Sequence, residues 1–202
     1  MQTARGASLT DTGSSQGDGR EGDGTAAQGP RRFVLLAAVA FTGIAADLAT
    51  KEAALALLRP GEAVSVVGEI LRFTLVFNTG AAFSIGTGMT WVFSLLAFVV
   101  VGYILRIARR LHSPGWAVAL GLILGGACGN LVDRLFRDPG PLRGAVVDWI
   151  QLPHWPVFNI ADSCIVVGGV LTVLLAFNGV NIDGTRDRGS ATTANDGKGK
   201  RA

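Results

Sequence analysis

Residues 158–177, FNIADSCIVVGGVLTVLLAF, decide the fold, because they combine the length of a membrane-spanning helix with an acid near the first residue. A helix of about 20 apolar residues crosses the ~30 Å hydrocarbon core of a bilayer. A helix also satisfies its own peptide groups where no water is available, so it is the expected conformation. Asp162 is costly at this position, and an ionisable group at the border of hydrocarbon is a functional-site hypothesis.

Three further apolar runs of similar length precede this one, at approximately residues 33–58, 89–107 and 116–132. Of the 202 residues, 49% are apolar and only 16% are charged. A cleaved signal peptide is a poor interpretation of the first run, because a long polar stretch precedes it and Asp47 and Lys51 interrupt its end. The sequence therefore predicts an all-α membrane protein with four transmembrane helices.

The two ends of the chain differ in composition from the apolar centre. Residues 1–30 and 179–202 are rich in Gly, Ser, Thr and charged residues and have little apolar surface to bury. Such segments do not fold on their own. We expect two disordered cytoplasmic tails around a four-helix transmembrane domain at residues 31–178.

The distribution of Lys and Arg predicts the orientation in the membrane. Most of these residues lie in the two tails and in the loop after the second run, which contains Arg106, Arg109 and Arg110. Positive residues near span ends remain in the cytoplasm, so both termini are predicted there. This topology and anionic lipid account for the formal charge of +3, and no nucleic-acid partner is needed.

The polar residues of different spans are predicted to meet at one depth. With a rise of ~1.5 Å per residue, Asp47 and Asn130 lie about 21 Å along the first and third runs, and Asp162 lies about 6 Å past residue 158. Because the spans alternate in direction, all three positions fall in the outer leaflet. A purely structural scatter of polar residues would show no such preference.

Helical spacing also places the polar residues of each span on one face. The sets that share a face are Asp47 with Lys51, Asn130 with Asp133 and Arg134, and Asn159 with Asp162. Two simpler interpretations stay open. The first set could be an ion pair that makes the span tolerable, and Asp133 with Arg134 could be an ion pair that ends the third span.

A strand and a turn are predicted between the first two spans. Residues 71–77, LRFTLVF, alternate partially, which indicates a strand on the membrane surface. Residues 78–84, NTGAAFS, begin with an Asn and contain small residues, as turns do. This segment could be only a turn, or it could be part of a small extracytoplasmic β-like cradle for an extended peptide.

Asp148, in the segment GAVVDW at residues 144–149, and Asp162 suggest acid/base chemistry. Two neighbouring carboxyl groups in a low dielectric do not both ionise easily, so one keeps a proton while the other is a base. The alternative is that they are unrelated residues at span ends. A Ser-Lys hydrolase is disfavoured, because Asp47 holds Lys51 charged. A metal site is not predicted, since His112 and His154 fall on opposite sides of the membrane.

Two functions from other classes remain as alternatives. Intramembrane Asp, Lys and Asn residues are typical of small ion-coupled transporters, although polar residues should then occupy both leaflets. A structural membrane subunit would use the same residues only for helix association.

Five ordered motifs resemble the bacterial lipoprotein signal peptidase family, signal peptidase II, over about residues 33–178. The motifs are DLATK at 47–51, NTGAAFS at 78–84, GGACGNLVDR at 125–134, GAVVD at 144–148 and FNIAD at 158–162. One departure is the segment 135–143, LFRDPGPLR, which is longer than the short link of the family. Two prolines and a glycine predict a loop there.

The resemblance implies a multi-pass enzyme of the bacterial cytoplasmic (inner) membrane with its active site toward the extracytoplasmic face. The implied activity is that of an aspartic endopeptidase without cofactor, which cleaves the signal peptide from diacylglyceryl-modified prolipoproteins just before the lipidated cysteine. The catalytic positions fall on Asp148 and Asp162. The antibiotic globomycin is expected to inhibit the enzyme. The supporting and substrate-binding positions fall on Asp47, Lys51, Asn78, Gly80, Asn130, Asp133, Arg134, Asn159 and Ala161.

Overall fold

A computed structural model of the chain describes residues 32–80 and 90–186. The predicted tail at 1–30, and Ala81 to Ser84 of the predicted turn, lie outside the described residues. Within them there are four helices that are long and apolar enough to cross a bilayer, which confirms the predicted helix number. They are α1 (Phe33–Leu57), α2 (Thr90–Ala108), α3 (Pro114–Phe136) and α4 (Ile160–Phe177).

Helix α3 is the centre of the bundle and packs extensively against α1 and α4. Glycines allow this close approach, since a Cβ atom at Gly125 would lie 2.8 Å from the carbonyl oxygen of Ala40 in α1. A Cβ atom at Gly126 would lie 2.3 Å from the carbonyl oxygen of Ala161 in α4. Small residues at helix contacts are typical of membrane bundles, where close backbone packing supplies much of the association energy. Helix α2 packs mainly on α3 and leaves much of its surface free.

Three strands form an antiparallel sheet in the order β1-β2-β3. They are β1 (Ala63–Val67), β2 (Leu71–Asn78) and β3 (Val146–Gln151). The predicted strand at 71–77 is confirmed as β2, whereas β1 and β3 were not predicted. In the register of β2 and β3, Asp148 pairs with Val76, and Val146 pairs with Asn78. The sheet therefore brings Asp148 next to the end of β2.

Two helix ends differ from the predicted span limits. Helix α3 continues through Phe136, so Asp133 and Arg134 belong to its last turns. Helix α4 begins at Ile160, and Asn159 is its N-cap. The Asn159 side chain accepts from the Asp162 backbone, while the Asp162 side chain accepts from the Asn159 backbone. This capping box explains why the helix starts there.

Residues 179–186 are the part of the predicted C-terminal tail that the structure describes, and residues 187–202 lie outside the described residues. The Trp116 indole donates to the carbonyl oxygen of Val180 over 2.7 Å. The backbone amides of His112 and Ser113 donate to the carbonyl oxygen of Ile182 over 3.0 and 3.1 Å. Ile182 itself packs against the apolar core of the bundle. Residues 179–186 are therefore held on the bundle by Ile182 and by these hydrogen bonds.

Candidate active site

Two acids from different elements lie in one cleft, Asp148 in β3 and Asp162 in the first turn of α4. Asp148 is 2% exposed, and its oxygens accept from Asn78 Nδ2 over 2.9 Å and from Asn159 Nδ2 over 2.7 Å. Asp162 accepts from Asn130 Nδ2 over 2.8 Å and from the Asn159 backbone over 3.2 Å. Asn159 therefore contacts both carboxyl groups.

Asn130 connects this acid pair to a buried cation. Its Oδ1 accepts from Lys51 Nζ over 3.0 Å and from Asn159 Nδ2 over 3.1 Å. The amide orientation of Asn130 is thereby determined, because its oxygen faces two donors and its nitrogen faces Asp162. The Asn130 side chain thus links Lys51 of α1 to Asp162 of α4.

Asp148 has an unusual protonation equilibrium. Burial, and then the nearby charge of Asp162, raise the pKa of Asp148 to about 7, although the Asn78 and Asn159 amides and the Lys51 charge act in the opposite direction. Loss of solvation penalises the ionised form, while hydrogen-bond donors stabilise it. Near neutral pH the Asp148 carboxyl group is consequently present in both forms.

A cluster of ion pairs lies beside the acids. The Lys51 ammonium is fully buried, 2.7 Å from Asp47 Oδ2 and 2.8 Å from Asp133 Oδ2. Arg137 Nε lies 2.5 Å from Asp133 Oδ1, and Arg137 Nη2 lies 2.7 Å from Glu52 Oε1. The interpretation that Asp133 and Arg134 form an ion pair is wrong, because Asp133 forms its ion pairs with Lys51 and Arg137. The ion pair of Asp47 and Lys51 is present and also contacts the site.

The acids of this cluster hold backbone groups as well as cations. Asp47 Oδ1 accepts from the Ala161 amide over 2.9 Å, which fixes the start of α4 on α1. Asp133 Oδ2 accepts from the Val147 amide over 3.2 Å, which fixes β3 on α3. A Cβ atom at Gly129 would lie 2.6 Å from Asp47 Oδ2, so a larger residue there would displace this carboxylate.

Arg134 lines the cleft from α3. Its Nη2 donates to the carbonyl oxygen of Gly80 over 3.3 Å, and its guanidinium lies 5.7 Å from the Phe93 ring centre. Its buried Nη1 has no hydrogen-bond acceptor among residues 32–80 and 90–186. The Gly80 amide in turn donates to Asn78 Oδ1 over 2.9 Å. Among the described residues, Arg134 Nη1 is therefore a buried donor without an acceptor.

The cleft has a volume of about 280 Å³, and Val157, Ile165 and Val166 form part of its walls. A second cavity of about 280 Å³ lies between α2, α3 and α4, with mainly apolar walls. The two cavities share Asn130, Arg134 and Ile165. The two cavities therefore lie next to each other beside the two acids.

The structure brings together all the site residues that the sequence predicts. Two residues of the cluster, Glu52 and Arg137, were not predicted. Arg137 follows Asp133 by four residues, a spacing that would have revealed the pair if the helix had been extended beyond residue 132. The hydroxyl of Thr50, one candidate for a Ser-Lys mechanism, donates to the carbonyl oxygens of Ala46 and Asp47. Ser84, the other candidate, lies outside the described residues.

A family profile described as Signal peptidase (SPase) II matches residues 39–178, which include both acids and the whole ion cluster. The chain belongs to the signal peptidase II family. It is 52% identical over 167 residues to a lipoprotein signal peptidase of Mycobacterium avium, covering 83% of the chain and 92% of that protein. It is also 52% identical over 156 residues to a lipoprotein signal peptidase of Rhodococcus jostii, covering 77% of the chain and 79% of that protein.

Two solved structures of bacterial membrane enzymes share the fold with this signal peptidase II family member. Each has a TM-score of 0.64, with sequence identities of 26% and 25%. The matches cover 70% and 74% of the chain and 87% and 96% of the solved structures. The chain is therefore a multi-pass bacterial membrane peptidase. The alternative of an ion-coupled transporter is not favoured by the family or by the clustering of the ionisable residues.

Proposed function

We propose that this chain is an aspartic endopeptidase that removes the signal peptide from diacylglyceryl-modified prolipoproteins, with the cut just before the lipidated cysteine. The observation that supports this proposal is a difference between the four acids of the site and its neighbouring ion pairs. Asp47 and Asp133 pair with cations, whereas Asp148 and Asp162 form no ion pair with the described residues and accept hydrogen bonds from amides. The lipoprotein signal peptidases among its relatives support the choice of substrate.

An acid pair without a directly bonded cation is suited to sharing one proton. In our mechanism the ionised aspartate takes a proton from water as the water oxygen attacks the scissile carbonyl carbon. The protonated aspartate donates a hydrogen bond to the developing oxyanion and then protonates the leaving amine. Because its pKa of about 7 lets Asp148 hold a proton near neutrality, we assign Asp148 as the acid and Asp162 as the base.

The walls of the cleft suit a substrate that is apolar on one side of the scissile bond. The apolar cavity between α2, α3 and α4 would receive the hydrophobic part of the signal peptide. Arg134 Nη1, which has no acceptor among the described residues, would donate to a peptide carbonyl beside the acids. Asn78 and Asn159 would keep Asp148 oriented during the reaction. Each of these groups acts through position and electrostatics, so the mechanism uses no cofactor.

The test replaces Asp148 and Asp162 singly by Asn and follows cleavage of a lipidated precursor in detergent. Each change keeps the size of the side chain and removes its proton transfer, so we expect the rate to fall by a factor of about 10²–10⁴. Asp138→Asn is the matched control, since Asp138 is exposed in the neighbouring loop and its side chain has no hydrogen bond among the described residues. Near-normal cleavage by either test variant would exclude the acid-pair mechanism.

We also propose that both termini face the cytoplasm and that the cleft opens toward the extracytoplasmic face of the inner membrane. Cysteine labelling with an impermeant maleimide tests this orientation, in a background with Cys128 and Cys164 replaced by Ala. Arg143 and Arg110 are both exposed and lie in loops at opposite ends of α3. Cysteine at 143 should react in intact cells, and cysteine at 110 only after permeabilisation. The reverse pattern would overturn the orientation.

Globomycin is expected to compete for the same cleft. It should then inhibit cleavage by the wild-type protein and raise its unfolding temperature in detergent, because a ligand stabilises the state to which it binds. The expected inhibition should weaken as the precursor concentration rises. Unchanged cleavage at a large excess of globomycin would contradict this part of the proposal.

A further inference from the structure

A chain of charged groups joins the exposed end of α1 to the interior of the site. Glu52 Oε1 lies 2.7 Å from Arg137 Nη2, and Arg137 Nε lies 2.5 Å from Asp133 Oδ1. Glu52 is 67% exposed, Arg137 is 24% exposed and Asp133 is 1% exposed. Arg137 directly follows the last residue of α3, Phe136.

The Asp133 carboxylate divides its two oxygens between different partners. Oδ2 is held by Lys51 Nζ over 2.8 Å and by the Val147 amide over 3.2 Å. Oδ1 is held by Arg137, which is its one side-chain donor among the described residues. With Arg137 in place the carboxylate cannot turn without losing a charged partner. Asp133 consequently presents Oδ2 to the strand residue that directly precedes Asp148.

The backbone that leads from Arg137 into β3 is fixed at several points. The Gly144 amide donates to the carbonyl oxygen of Arg134, and the Ala145 amide donates to that of Asp138, both over 3.1 Å. The fully buried Ser94 of α2 donates to the carbonyl oxygen of Leu142 over 2.8 Å. These contacts tie the segment to α3 and α2, so the fold does not depend on the Arg137 side chain alone. That side chain adds the link to α1.

We propose that Arg137 is a positioning residue of the peptidase, which locks the Asp133 carboxylate and thereby holds Val147 and Asp148 in register with Asp162. Glu52 orients the Arg137 guanidinium from the solvent side. This inference rests on the proposed function of Asp148. A position error of about 1 Å at a reacting group costs up to about 10²-fold in rate. Removal of Arg137 should therefore slow the chemical step more than it weakens substrate binding.

The experiment compares Arg137→Gln, Arg137→Lys and Glu52→Gln in cleavage of a lipidated precursor by purified protein in detergent. For Arg137→Gln we expect a fall in kcat of about tenfold with KM changed less than about twofold. Arg137→Lys should recover most of kcat, because an ammonium group still pairs with Asp133. Glu52→Gln should lower kcat by about twofold at most, since the pair that it forms with Arg137 is largely exposed.

Arg143→Gln is the matched control. Arg143 lies in the same segment, is exposed, and has no side-chain partner among the described residues. The kcat of Arg143→Gln should therefore equal that of the wild type. Thermal unfolding and size-exclusion chromatography of each variant measure the folded fraction. The inference is overturned if Arg137→Gln keeps the wild-type kcat, loses activity only in proportion to folded protein, or changes KM instead of kcat.

Asp148→Asn distinguishes this failure from failure of the proposed function. If Asp148→Asn is inactive while Arg137→Gln keeps the wild-type rate, the positioning role alone is wrong. If Asp148→Asn cleaves normally, the acid pair is wrong, and Arg137 then has no catalytic strand to position.

Discussion

Asn159 combines two functions that a single substitution can separate. It is fully buried, its Oδ1 caps α4 by accepting from the Asp162 amide, and its Nδ2 donates to Asp148 Oδ1 over 2.7 Å. Serine caps helices about as well as Asn but has no amide donor. Asn159→Ser therefore keeps the cap and removes one of the two amide donors to Asp148.

The size of the effect follows from that hydrogen bond. A hydrogen bond to a charged group contributes about 1.5–3 kcal/mol, and 1.36 kcal/mol corresponds to one pH unit. The Asn159 donor stabilises ionised Asp148, so its loss raises the pKa of Asp148 above its value of about 7. The protonated acid then persists to higher pH. We expect the alkaline limit of activity to move upward by about 1–2 pH units.

The assay is the pH dependence of kcat for the wild type, Asn159→Ser and Asn159→Ala. Alanine removes the cap as well, which costs about 1 kcal/mol. It should therefore lower the unfolding temperature further without an additional shift of the pH profile. An alkaline limit that stays in place in Asn159→Ser would refute the argument. A shift of the acidic limit alone would reverse the assignment of acid and base.

Two stability predictions follow from the buried charges and the glycines. Lys51→Met leaves Asp47 and Asp133 facing each other without their shared cation, so we expect a loss of about 3–5 kcal/mol and a large fall in the unfolding temperature in detergent. Gly126→Ala places a Cβ atom 2.3 Å from the backbone of α4, whereas Gly169→Ala meets nothing within 4 Å. Only the first alanine should destabilise the bundle, and equal unfolding temperatures for both would contradict the packing argument.

The helices and the convergence of the site were predictable because they follow from simple physical constraints. The thickness of hydrocarbon sets the length of each span, and the cost of burying charge makes each polar residue in a span informative. Depth along the helix then placed Asp47, Asn130 and Asp162 together, as the structure does. Helical spacing grouped the side chains correctly without any knowledge of their partners.

The sheet and the ion partners were less predictable. β1 (Ala63–Val67) is short and exposed throughout, so it carries no alternation of burial. β3 (Val146–Gln151) is held by pairing with β2 and by Asp133, and both contacts are distant in sequence. The prolines and the glycine of residues 135–143 predict a loop that begins directly after Arg134. The structure continues α3 through Phe136, so the helix ends one residue before Arg137.

The three asparagines around the acids have a consequence for drug resistance. Asn78, Asn130 and Asn159 each use the side-chain oxygen and nitrogen for different partners, so a residue without a side-chain amide loses at least one of these contacts. An antibiotic that contacts these amides would meet few viable escape mutations. One that relies on Ile165 or Val166 at the apolar rim would select for harmless aliphatic exchanges.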